Sequence, residues 1–334
     1  MDVLVLGGTQ FSGRAFSEQA VRAGHRVTLL HRSANDPGIP GIAQRLVGDR
    51  DAIEGDGLAQ LDELLAAGRT FDAVVDMCGY VPRVVRASCE LLARAAGRYL
   101  FVSSVSVYPM TAGGSPDEDS PVIELDDPAT EAVTGDTYGG LKALCEREVL
   151  RAFGNRTCIV RPGLIVGPND PTDRFTWWTR VLATEPTVLL PDPGGLASFI
   201  DARDLATFYL RCIEQGHAST FNAAGPAERM GLPEFVRELH GAVDSRTALI
   251  ATRERWLLDQ GVEPWRDVPV WLPSDTQSLH RASAARARDH GLQLRPLTET
   301  ARDTAAWDAR RGSPELKSGL TPAALRAHVA ALQG

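Results

Sequence analysis

The sequence predicts an α/β protein built on a doubly wound parallel sheet, followed by a smaller C-terminal lobe. Short apolar runs alternate with amphipathic segments, at spacings of roughly 20 to 30 residues, as far as about residue 165. Parallel strands joined by right-handed helical crossovers produce this alternation. In addition, the first apolar run leads directly into a glycine-rich turn and then into an amphipathic segment. Together these features favour the strand order 3-2-1-4-5-6.

The individual elements follow from local composition. Apolar and β-branched runs predict buried strands, and apolar residues at helical spacing predict helices. The predicted strands are 3–6, 26–30, 42–47, 71–76, 99–103 and 157–161. The predicted helices between and after them are 14–23, 58–67, 83–96 and 138–153. Proline, glycine and polar residues predict surface loops at 35–41 and 108–134.

Two domains are expected, because the regular alternation breaks down beyond residue 167. The first covers 1–165 and the second 166–334, with some segments of the second returning to the sheet. A helix is predicted at 175–182. Another is predicted to begin after Asp201, whose carboxylate is expected to cap it.

Composition limits the functional classes. The chain has 334 residues, 43% of them hydrophobic, and a formal net charge of −8. An acidic chain is a poor nucleic-acid binder, because phosphate contacts need clustered Lys and Arg. No apolar run approaches the roughly 20 residues that a membrane helix needs. The chain enters its first strand without a signal-like segment, so we expect a cytoplasmic protein.

Cysteine and histidine spacing predicts neither a disulfide framework nor a metal site. The five cysteines are scattered and form no C-x-x-C pair, which indicates reduced thiols. The seven histidines lack the spacing of metal ligands, so no metal is expected.

The glycine-rich turn reads GGTQFSG at residues 7–13. Glycines in such a turn allow a tight bend, close approach of the backbone to a diphosphate and close packing of helix on strand. The N-terminus of the following helix favours a bound phosphate at the same place. We therefore predict a dinucleotide site, with a purely structural turn as the alternative. Its candidate contacts in the turn are Gly7, Thr9, Gln10, Phe11 and Gly13.

The end of the second strand bears on the choice of cofactor. A chain that binds NAD usually has Asp or Glu about 20 residues after the turn, where it bonds the ribose hydroxyls. His31 and Arg32 occupy that place, and Asp36 lies beyond it. A guanidinium suits a 2′-phosphate, so NADP is favoured over NAD, although Arg32 could instead stack on adenine or face solvent. Asp49, next to Arg50, could accept from the adenine amino group or cap a helix.

Tyr138 and Lys142 form a Y-x-x-x-K pattern at the start of a predicted helix. This spacing puts the phenol and the ammonium on one helix face, where the ammonium is expected to lower the pKa of the phenol. The pair could then move a proton to or from a substrate oxygen. Ser103 and Ser104 lie at the carboxyl end of the fifth strand, where α/β sheets bind ligands, and a hydroxyl there could polarise the same oxygen.

These motifs resemble those of the extended short-chain dehydrogenase/reductases of the NAD-dependent epimerase/dehydratase family. The matching stretches are GGTQFSG, FVSSVSVY at 101–108, YGGLK at 138–142, RPGLIVGP at 161–168, FIDARDLA at 199–206 and FNAAGP at 221–226. The resemblance implies an NAD(P)-binding Rossmann fold with a substrate-binding C-terminal lobe. It also implies that Ser104 is the catalytic serine, with Ser103 beside it, and that Lys142 holds the nicotinamide ribose. The loop 76–80 should border the cofactor, which gives the candidate contacts Cys78 and Gly79. Arg50, Pro162 and Leu164 are further candidate cofactor contacts.

Departures from the family pattern bear on the substrate. Nucleotide-sugar epimerases of the family carry Asn where this chain has Leu164, and sugar dehydratases have Asp-Glu where Val105 and Ser106 follow the catalytic serine. Both departures lower the expectation of sugar-nucleotide chemistry. The GGTxFxG turn also resembles an atypical branch with bacterial members of unassigned substrate and chloroplast RNA-binding relatives that have lost the tyrosine. Tyr138 is retained here, which favours an enzyme.

Substrate contacts are expected from the lobe and from the loops after the strands. Trp177 and Trp178 are more typical of a core, but one of the two is expected to face the cleft, because adjacent positions cannot both point inward from one helix. Arg174 and Arg180 flank them, and one of the two could clamp an anionic substrate, with a solvated surface position as the alternative. The candidate substrate residues are Tyr80, Ser106, Arg174, Trp177 and Trp178.

Three functions are open at this point. The favoured one is an NAD(P)-dependent oxidoreductase that moves a hydride between nicotinamide and a small hydroxyl or keto substrate. The second is a redox-neutral epimerase or dehydratase with tightly bound NAD, and the third a non-catalytic cofactor-sensing or RNA-associated protein. The expected partner is a small molecule, with no nucleic acid and no membrane. The fold leaves room for a homodimer through helices 83–96 and 138–153.

Overall fold

The computed structural model describes residues 1–32, 38–111 and 113–333. Asp36 and part of the loop predicted at 35–41 lie outside these residues. Within the described ranges, no helix is both long enough and apolar enough to cross a membrane.

Strands are distributed over three sheets. In chain order they are β1 (Asp2–Leu6), β2 (Arg26–His31), β3 (Gln44–Val47), β4 (Phe71–Asp76), β5 (Ala96–Val102), β6 (Thr157–Pro162), β7 (Leu164–Val166), β8 (Thr187–Asp192), β9 (Leu196–Asp201), β10 (Thr220–Ala223), β11 (Gly225–Gly231) and β12 (Ala248–Arg253). The largest sheet has the order β10-β6-β5-β4-β1-β2-β3, and all of its neighbouring strands are parallel. This confirms the predicted order 3-2-1-4-5-6 and adds β10 at its edge.

Helices cover both faces of this sheet and build the lobe. In chain order they are α1 (Phe11–Arg22), α2 (Gly57–Ala66), α3 (Pro82–Leu92), α4 (Tyr138–Phe153), α5 (Arg174–Thr184), α6 (Ala202–Gln215), α7 (Leu232–Ala242), α8 (Glu254–Asp259), α9 (Ala285–Asp289), α10 (Leu297–Arg310) and α11 (Pro322–Gln333). Short 3-10 turns lie at Val105–Val107, Gly154–Arg156 and Ser278–Arg281.

Each face of the parallel sheet has its own hydrophobic core. On one face, Phe16 of α1 and Phe208 of α6 pack with strand residues such as Val5. On the other face, Leu61 of α2 and Val149 of α4 belong to a second core. Successive strand residues enter the two layers in turn, so the strands are nearly continuous apolar runs, as a sheet buried on both faces requires. The chain after residue 166 contributes to the first core through α6 and to the sheet through β10.

The lobe has a separate core. It contains the side chains of α5 and α7 and a β11-β9-β7 sheet, with the short β12-β8 pair beside it. Asp201, at the end of β9, accepts a hydrogen bond at 2.8 Å from the Arg203 amide, which confirms the predicted helix cap of α6.

Element bounds differ from the sequence prediction most clearly at the start of α1 and at the end of α3. The helix predicted at 14–23 begins earlier, at Phe11, because the glycine turn leads straight into it. The helix predicted at 83–96 ends at Leu92, because β5 begins at Ala96 rather than at Tyr99. In the lobe, the sequence analysis did not predict β7, β8, β11, β12 or α7.

Candidate active site

One large cavity lies at the carboxyl ends of the central strands, between the sheet and the lobe. Its volume is about 1280 Å³, which exceeds that of a typical single-ligand pocket of about 300–1000 Å³. The sheet wall carries the glycine turn, the serines after β5, the start of α4 and the residues after β6. The lobe wall carries residues of several separate segments, among them Asp170, Arg174, Trp265 and His280.

The glycine turn closes one end of this cavity. Gly7 and Gly8 have φ values of 87° and 85°, a backbone conformation that side chains disfavour. A Cβ on Gly8 would lie 2.6 Å from Val5 Cγ1, and one on Gly13 would lie 2.8 Å from the Gly8 Cα. The turn therefore packs tightly under the first residues of α1. The Gln10 side chain makes no capping hydrogen bond to the start of this helix.

The predicted turn contacts all line the cavity: Gly7, Thr9, Gln10, Phe11 and Gly13. Because α1 begins at Phe11 without a side-chain cap, its first amides are left to bind an anion. The geometry of the turn is thus suited to a diphosphate.

The far end of the sheet wall holds the residues after β2 and β3. His31 is buried and Arg32 is exposed, and both line the cavity with Asp49. Arg32 Nη1 lies 3.8 Å from Asp49 Oδ2, so the two side chains make only a loose ion pair. Asp49 Oδ1 accepts from the Asp51 amide at 2.9 Å, and α2 begins later, at Gly57. Asp49 is therefore not the cap of α2, which was one of its two predicted roles.

Arg50 is turned into the protein rather than towards solvent. Its Nη1 donates to Asp76 Oδ1 at 2.6 Å, and the exposed fractions of the two side chains are 7% and 0%. Asp76 also accepts from the Tyr99 hydroxyl at 2.7 Å. Burial alone would raise the pKa of Asp76, but Arg50 and Tyr99 outweigh it and hold the pKa below its ordinary value.

The Arg50 pairing leaves two of the three guanidinium nitrogens unused. Nε and Nη2 are buried and have no hydrogen-bond partner in the described part of the chain. Arg50 nevertheless lines the cavity. A buried guanidinium with unpartnered nitrogens is a fit for an anionic ligand, because such groups are costly to leave unsatisfied. The sequence placed Arg50 near the cofactor but gave no sign of its pairing with Asp76.

Lys142 lines the cavity from the sheet wall, although the residue is only 2% exposed. Its Nζ donates to Gly79 O at 2.7 Å and to Val102 O at 2.6 Å, and lies 4.3 Å from the centre of the Phe101 ring. These contacts fix the ammonium where α4 meets the ends of β4 and β5. Burial lowers the pKa of Lys142, and nearby acidic groups oppose this shift.

Tyr138 lies one helical turn before Lys142 and lines the same cavity. Its ring is 6.4 Å from the Tyr80 ring, centre to centre. Burial raises the pKa of Tyr138, while the Ser104 side chain opposes this shift. The expected lowering of the pKa of Tyr138 by Lys142 is therefore wrong for this structure. The reason is that the phenol is desolvated, while the ammonium is turned to two backbone carbonyls.

The serines after β5 face the same space. Ser104 Oγ accepts from the Ser106 amide at 3.1 Å, which leaves its own hydrogen to donate into the cavity. Ser103 Oγ is buried without a partner among the described residues. Pro162 and Leu164, after β6, line the cavity as well.

The loop after β4 is only partly as expected. Cys78 lines the cavity, and burial raises the pKa of its thiol. Tyr80 lies at the cavity mouth and is 45% exposed. Gly79, predicted to contact the cofactor, is buried and is not among the residues that line the cavity. A Cβ at this position would lie 2.4 Å from the Phe101 ring. Its contribution is the carbonyl that accepts from Lys142.

The tryptophans are core residues, as favoured from the sequence, but the expectation that one of them faces the cleft is wrong. Trp177 and Trp178 are both buried, at 1% and 0% exposed, and neither lines the cavity. Their indole nitrogens donate to Leu320 O at 2.9 Å and to Pro269 O at 2.7 Å. Both side chains can point inward because C-terminal segments pack around α5 on more than one side.

The lobe wall contains residues that the sequence analysis did not assign to the site. Asp170 is 1% exposed, and its Oδ1 accepts from the amide and the hydroxyl of Thr172. His280 accepts at Nδ1 from the Ser198 amide and pairs at Nε2 with Val270 O. Burial lowers the pKa of His280 to about 4, so the ring is neutral at pH 7. These residues come from irregular segments, and no periodicity marks them.

Comparison with known proteins gives one family. The sequence model of the NAD dependent epimerase/dehydratase family matches residues 3–224. A dTDP-4-dehydro-6-deoxy-D-allose reductase of Streptomyces bikiniensis is 30% identical over 181 residues, which are 52% of this chain and 49% of the reductase. Chloroplast stem-loop binding protein of 41 kDa b, from Arabidopsis thaliana, is 26% identical over 67% of this chain and 58% of its own length.

The chain thus spans about half the length of these curated relatives. Among solved structures, UDP-glucose 4-epimerase from Bifidobacterium longum, in complex with NAD+ and UDP, aligns with a TM-score of 0.64. It is 16% identical, and the alignment covers 93% of this chain and 99% of the epimerase. At this identity the likeness supports the Rossmann fold alone. The family match covers well over half of the sequence, and the chain belongs to the NAD dependent epimerase/dehydratase family.

Proposed function

We propose that this protein is an NADP(H)-dependent oxidoreductase that reduces a carbonyl group of a small substrate, or oxidises the corresponding alcohol. One observation carries the proposal: the glycine turn and the side chains of Ser104, Tyr138 and Lys142 line a single cavity. A cofactor at the turn and a substrate oxygen at the hydroxyl groups would then share one space.

The sheet wall fits a dinucleotide. The left-handed glycines and the uncapped start of α1 suit a diphosphate. The buried, unpartnered Nε and Nη2 of Arg50 suit a second contact with an anionic or hydroxyl-bearing part of the nucleotide. When bound, the nicotinamide cofactor supplies or accepts the hydride.

The chain's own residues handle the proton. Because burial raises its pKa, Tyr138 is protonated at neutral pH and is set to donate to a carbonyl oxygen. Ser104 Oγ accepts from the Ser106 amide, and this bond does not use the hydroxyl hydrogen. The hydroxyl can therefore donate a hydrogen bond to the same substrate oxygen. Lys142 holds its place through Gly79 O and Val102 O and supports the start of α4. A phenol that starts protonated favours reduction over oxidation.

NADP is the preferred cofactor in this proposal. No described side chain at the end of β2 offers a carboxylate to the ribose hydroxyls, and Arg32 lies there with its side chain 78% exposed. An exposed guanidinium held loosely by Asp49 could turn to a 2′-phosphate.

A redox-neutral epimerase with tightly held NAD is the second candidate. The name of the matching family, which includes epimerases, favours it. Leu164 lies in the cavity in place of the Asn of nucleotide-sugar epimerases, and the 30% identical relative is named as a reductase, which both favour the oxidoreductase.

Nucleotide analysis of the purified protein separates the candidates. The protein would be denatured, and the supernatant examined by mass spectrometry for NAD and NADP. In parallel, consumption of NADPH and NADH would be followed with a panel of ketones, aldehydes and keto acids. We expect little bound nucleotide and carbonyl-dependent consumption of NADPH. Stoichiometric bound NAD, with turnover of a sugar nucleotide without added cofactor, would support the epimerase and contradict the proposal.

A further inference from the structure

We propose that Arg174 binds an anionic group of the substrate, so that the substrate is a carbonyl or hydroxyl compound with a carboxylate or a phosphate. This inference rests on the oxidoreductase proposed above and specifies its substrate class. It also makes Arg174 the residue that distinguishes acidic from neutral substrates.

Arg174 is placed on the lobe wall, opposite the glycine turn and the serines. It is the first residue of α5 and follows Asp173, whose φ is 59°. Its side chain lines the cavity that also contains Tyr138 and Ser104. A substrate oxygen at those hydroxyl groups and a second group at Arg174 would thus lie in one space.

The guanidinium of Arg174 is held by an aromatic ring. Its Cζ lies 5.5 Å from the centre of the Trp265 ring. Trp265 is fixed in turn, with a φ of 65° and an amide that donates to Trp271 O at 3.0 Å. Stacking on tryptophan orients a guanidinium while leaving its N–H groups free to bind in the ring plane.

Two other arginines that pack at α5, Arg180 and Arg311, are paired with carboxylates. Arg180, on the same helix, donates to both oxygens of Asp308 at 2.8 and 2.6 Å. Arg311 donates to Asp308 and to Asp173. Arg174, by contrast, makes no hydrogen bond or ion pair through its guanidinium within the described ranges. A half-buried cation without a counter-ion in contact carries a desolvation cost, and a bound anion would offset that cost.

Asp170 is the nearest acidic group and does not take the place of that anion. Its Oδ1 accepts from the Thr172 amide at 2.8 Å and from the Thr172 hydroxyl at 2.7 Å. Its carboxylate is thus used to order the loop before α5, and it makes no hydrogen bond to Arg174. His280, also in this wall, is neutral because burial lowers its pKa, and both of its ring nitrogens contact backbone groups.

The positive groups for a dinucleotide lie on the other wall. Arg32 and Arg50 follow β2 and β3 and line the cavity from the sheet side. Arg174 is therefore available to the second ligand. Trp265, Leu272 and Leu279 surround the lobe side with apolar surface, which strengthens an ionic contact by excluding water.

The test uses matched carbonyl compounds that differ only in charge, such as a 2-keto acid and its amide, or a ketose phosphate and the free ketose. Wild type, Arg174→Met and Arg174→Lys would be compared, with Arg255→Met as control. Arg255 is 83% exposed on α8, and among the described residues it pairs only with Asp259 on that helix. Wild type should prefer one acidic class in kcat/KM by about 10- to 100-fold.

Arg174→Met should abolish this preference through a higher KM for the acid, with kcat/KM for the neutral partner unchanged. Arg174→Lys should restore part of the preference, and Arg255→Met should behave as wild type. Which pair shows the effect tells a carboxylate from a phosphate. A preference for acids that survives in Arg174→Met, or wild-type turnover without any such preference, would overturn the inference.

A binding measurement keeps this test separate from the proposed function. Wild type and Arg174→Met, saturated with NADP+, would be titrated calorimetrically with oxalate and with inorganic phosphate. If no carbonyl compound is turned over, the proposed oxidoreductase fails, but loss of anion binding in Arg174→Met still supports the anion site. Equal binding by both proteins, or no binding to wild type, rejects it.

Discussion

The two walls of the cavity are built in different ways. The sheet wall consists of backbone turns and short side chains at the carboxyl ends of parallel strands, and its key hydroxyl and ammonium groups are set by α4. The lobe wall consists of long side chains from irregular segments, which are held by contacts far apart in the sequence. One wall is thus a property of the fold, and the other a property of this particular chain.

This difference separates chemistry from selection. Parallel α/β sheets bind ligands at the carboxyl ends of their strands whatever the substrate, so the sheet wall suits a shared cofactor and a shared proton donor. The lobe wall offers a stacked arginine and a buried neutral histidine, which suit one class of ligand. Substitutions in the two walls should therefore fail in different ways.

Tyr138→Phe should give the largest effect and should act on chemistry alone. Loss of the proton donor is expected to lower kcat by about 10²- to 10⁴-fold. Dissociation constants for NADPH, measured by fluorescence titration, should change little. Tyr209→Phe is the matched control, because this buried hydroxyl has no partner in the described part of the chain. Activity retained by Tyr138→Phe would mean that Tyr138 on the sheet wall is not the proton donor.

Trp178→Ala should act on stability alone. Removing this fully buried indole and its hydrogen bond to Pro269 O is expected to cost about 3–5 kcal/mol in the free energy of unfolding, measured with urea. Below the unfolding transition, kcat/KM should stay within a few-fold of wild type. A variant with the wild-type free energy of unfolding but without activity would indicate that Trp178 contacts the ligand.

The lowered pKa of His280, in the lobe, predicts that the free energy of unfolding depends on pH. Its folded pKa of about 4 lies below the ordinary value of 6.5, so the unfolded chain binds more protons between these values. The stability that this group contributes is complete above pH 6.5 and is lost as the pH falls towards 4. Between pH 7 and pH 5 the loss is about 2 kcal/mol.

The measurement is urea unfolding at both pH values for wild type and His280→Asn. Asn removes the titrating ring, so its free energy of unfolding should fall less between pH 7 and pH 5. Equal pH dependence in the two proteins would mean that burial does not hold the histidine neutral.

Arg32→Ala should give the smallest effect, at the outer end of the sheet wall. Because this guanidinium is exposed, its loss is expected to weaken NADP binding by about tenfold and NAD binding hardly at all. Calorimetric titration with both nucleotides measures the difference. Arg22→Ala, at the exposed end of α1, serves as control. Equal weakening of both nucleotides would argue against a 2′-phosphate contact.

The same contrast explains how far the sequence could be read. The strands of the sheet wall are apolar runs, and their parallel arrangement brings the glycine turn, Ser104 and Tyr138 together. These residues could be predicted because the fold fixes where strand ends and helix starts meet. In the lobe, α7 has apolar Leu232, Phe235, Val236 and Leu239 at helical spacing and could have been found by the same rule.

Other features had no signal in the sequence. Arg50 and Asp76 pair across 26 positions, and nothing local shows that the arginine turns inward. His280 is held by Ser198, 82 positions away, and Trp178 is covered by a segment 91 positions away. Such contacts depend on how irregular segments pack, so the segments that cover both tryptophans and the composition of the lobe wall became visible only in three dimensions.

The central claim is that the cavity binds a nicotinamide dinucleotide along the sheet wall, with its reactive end beside Tyr138. A crystal structure of the protein with NADP+ tests it most directly. We predict the diphosphate against the first amides of α1 and the nicotinamide ribose within hydrogen-bond distance of Tyr138 or Lys142. A nucleotide bound elsewhere, or a cavity that stays empty at saturating NADP+ and NAD+, would contradict the account.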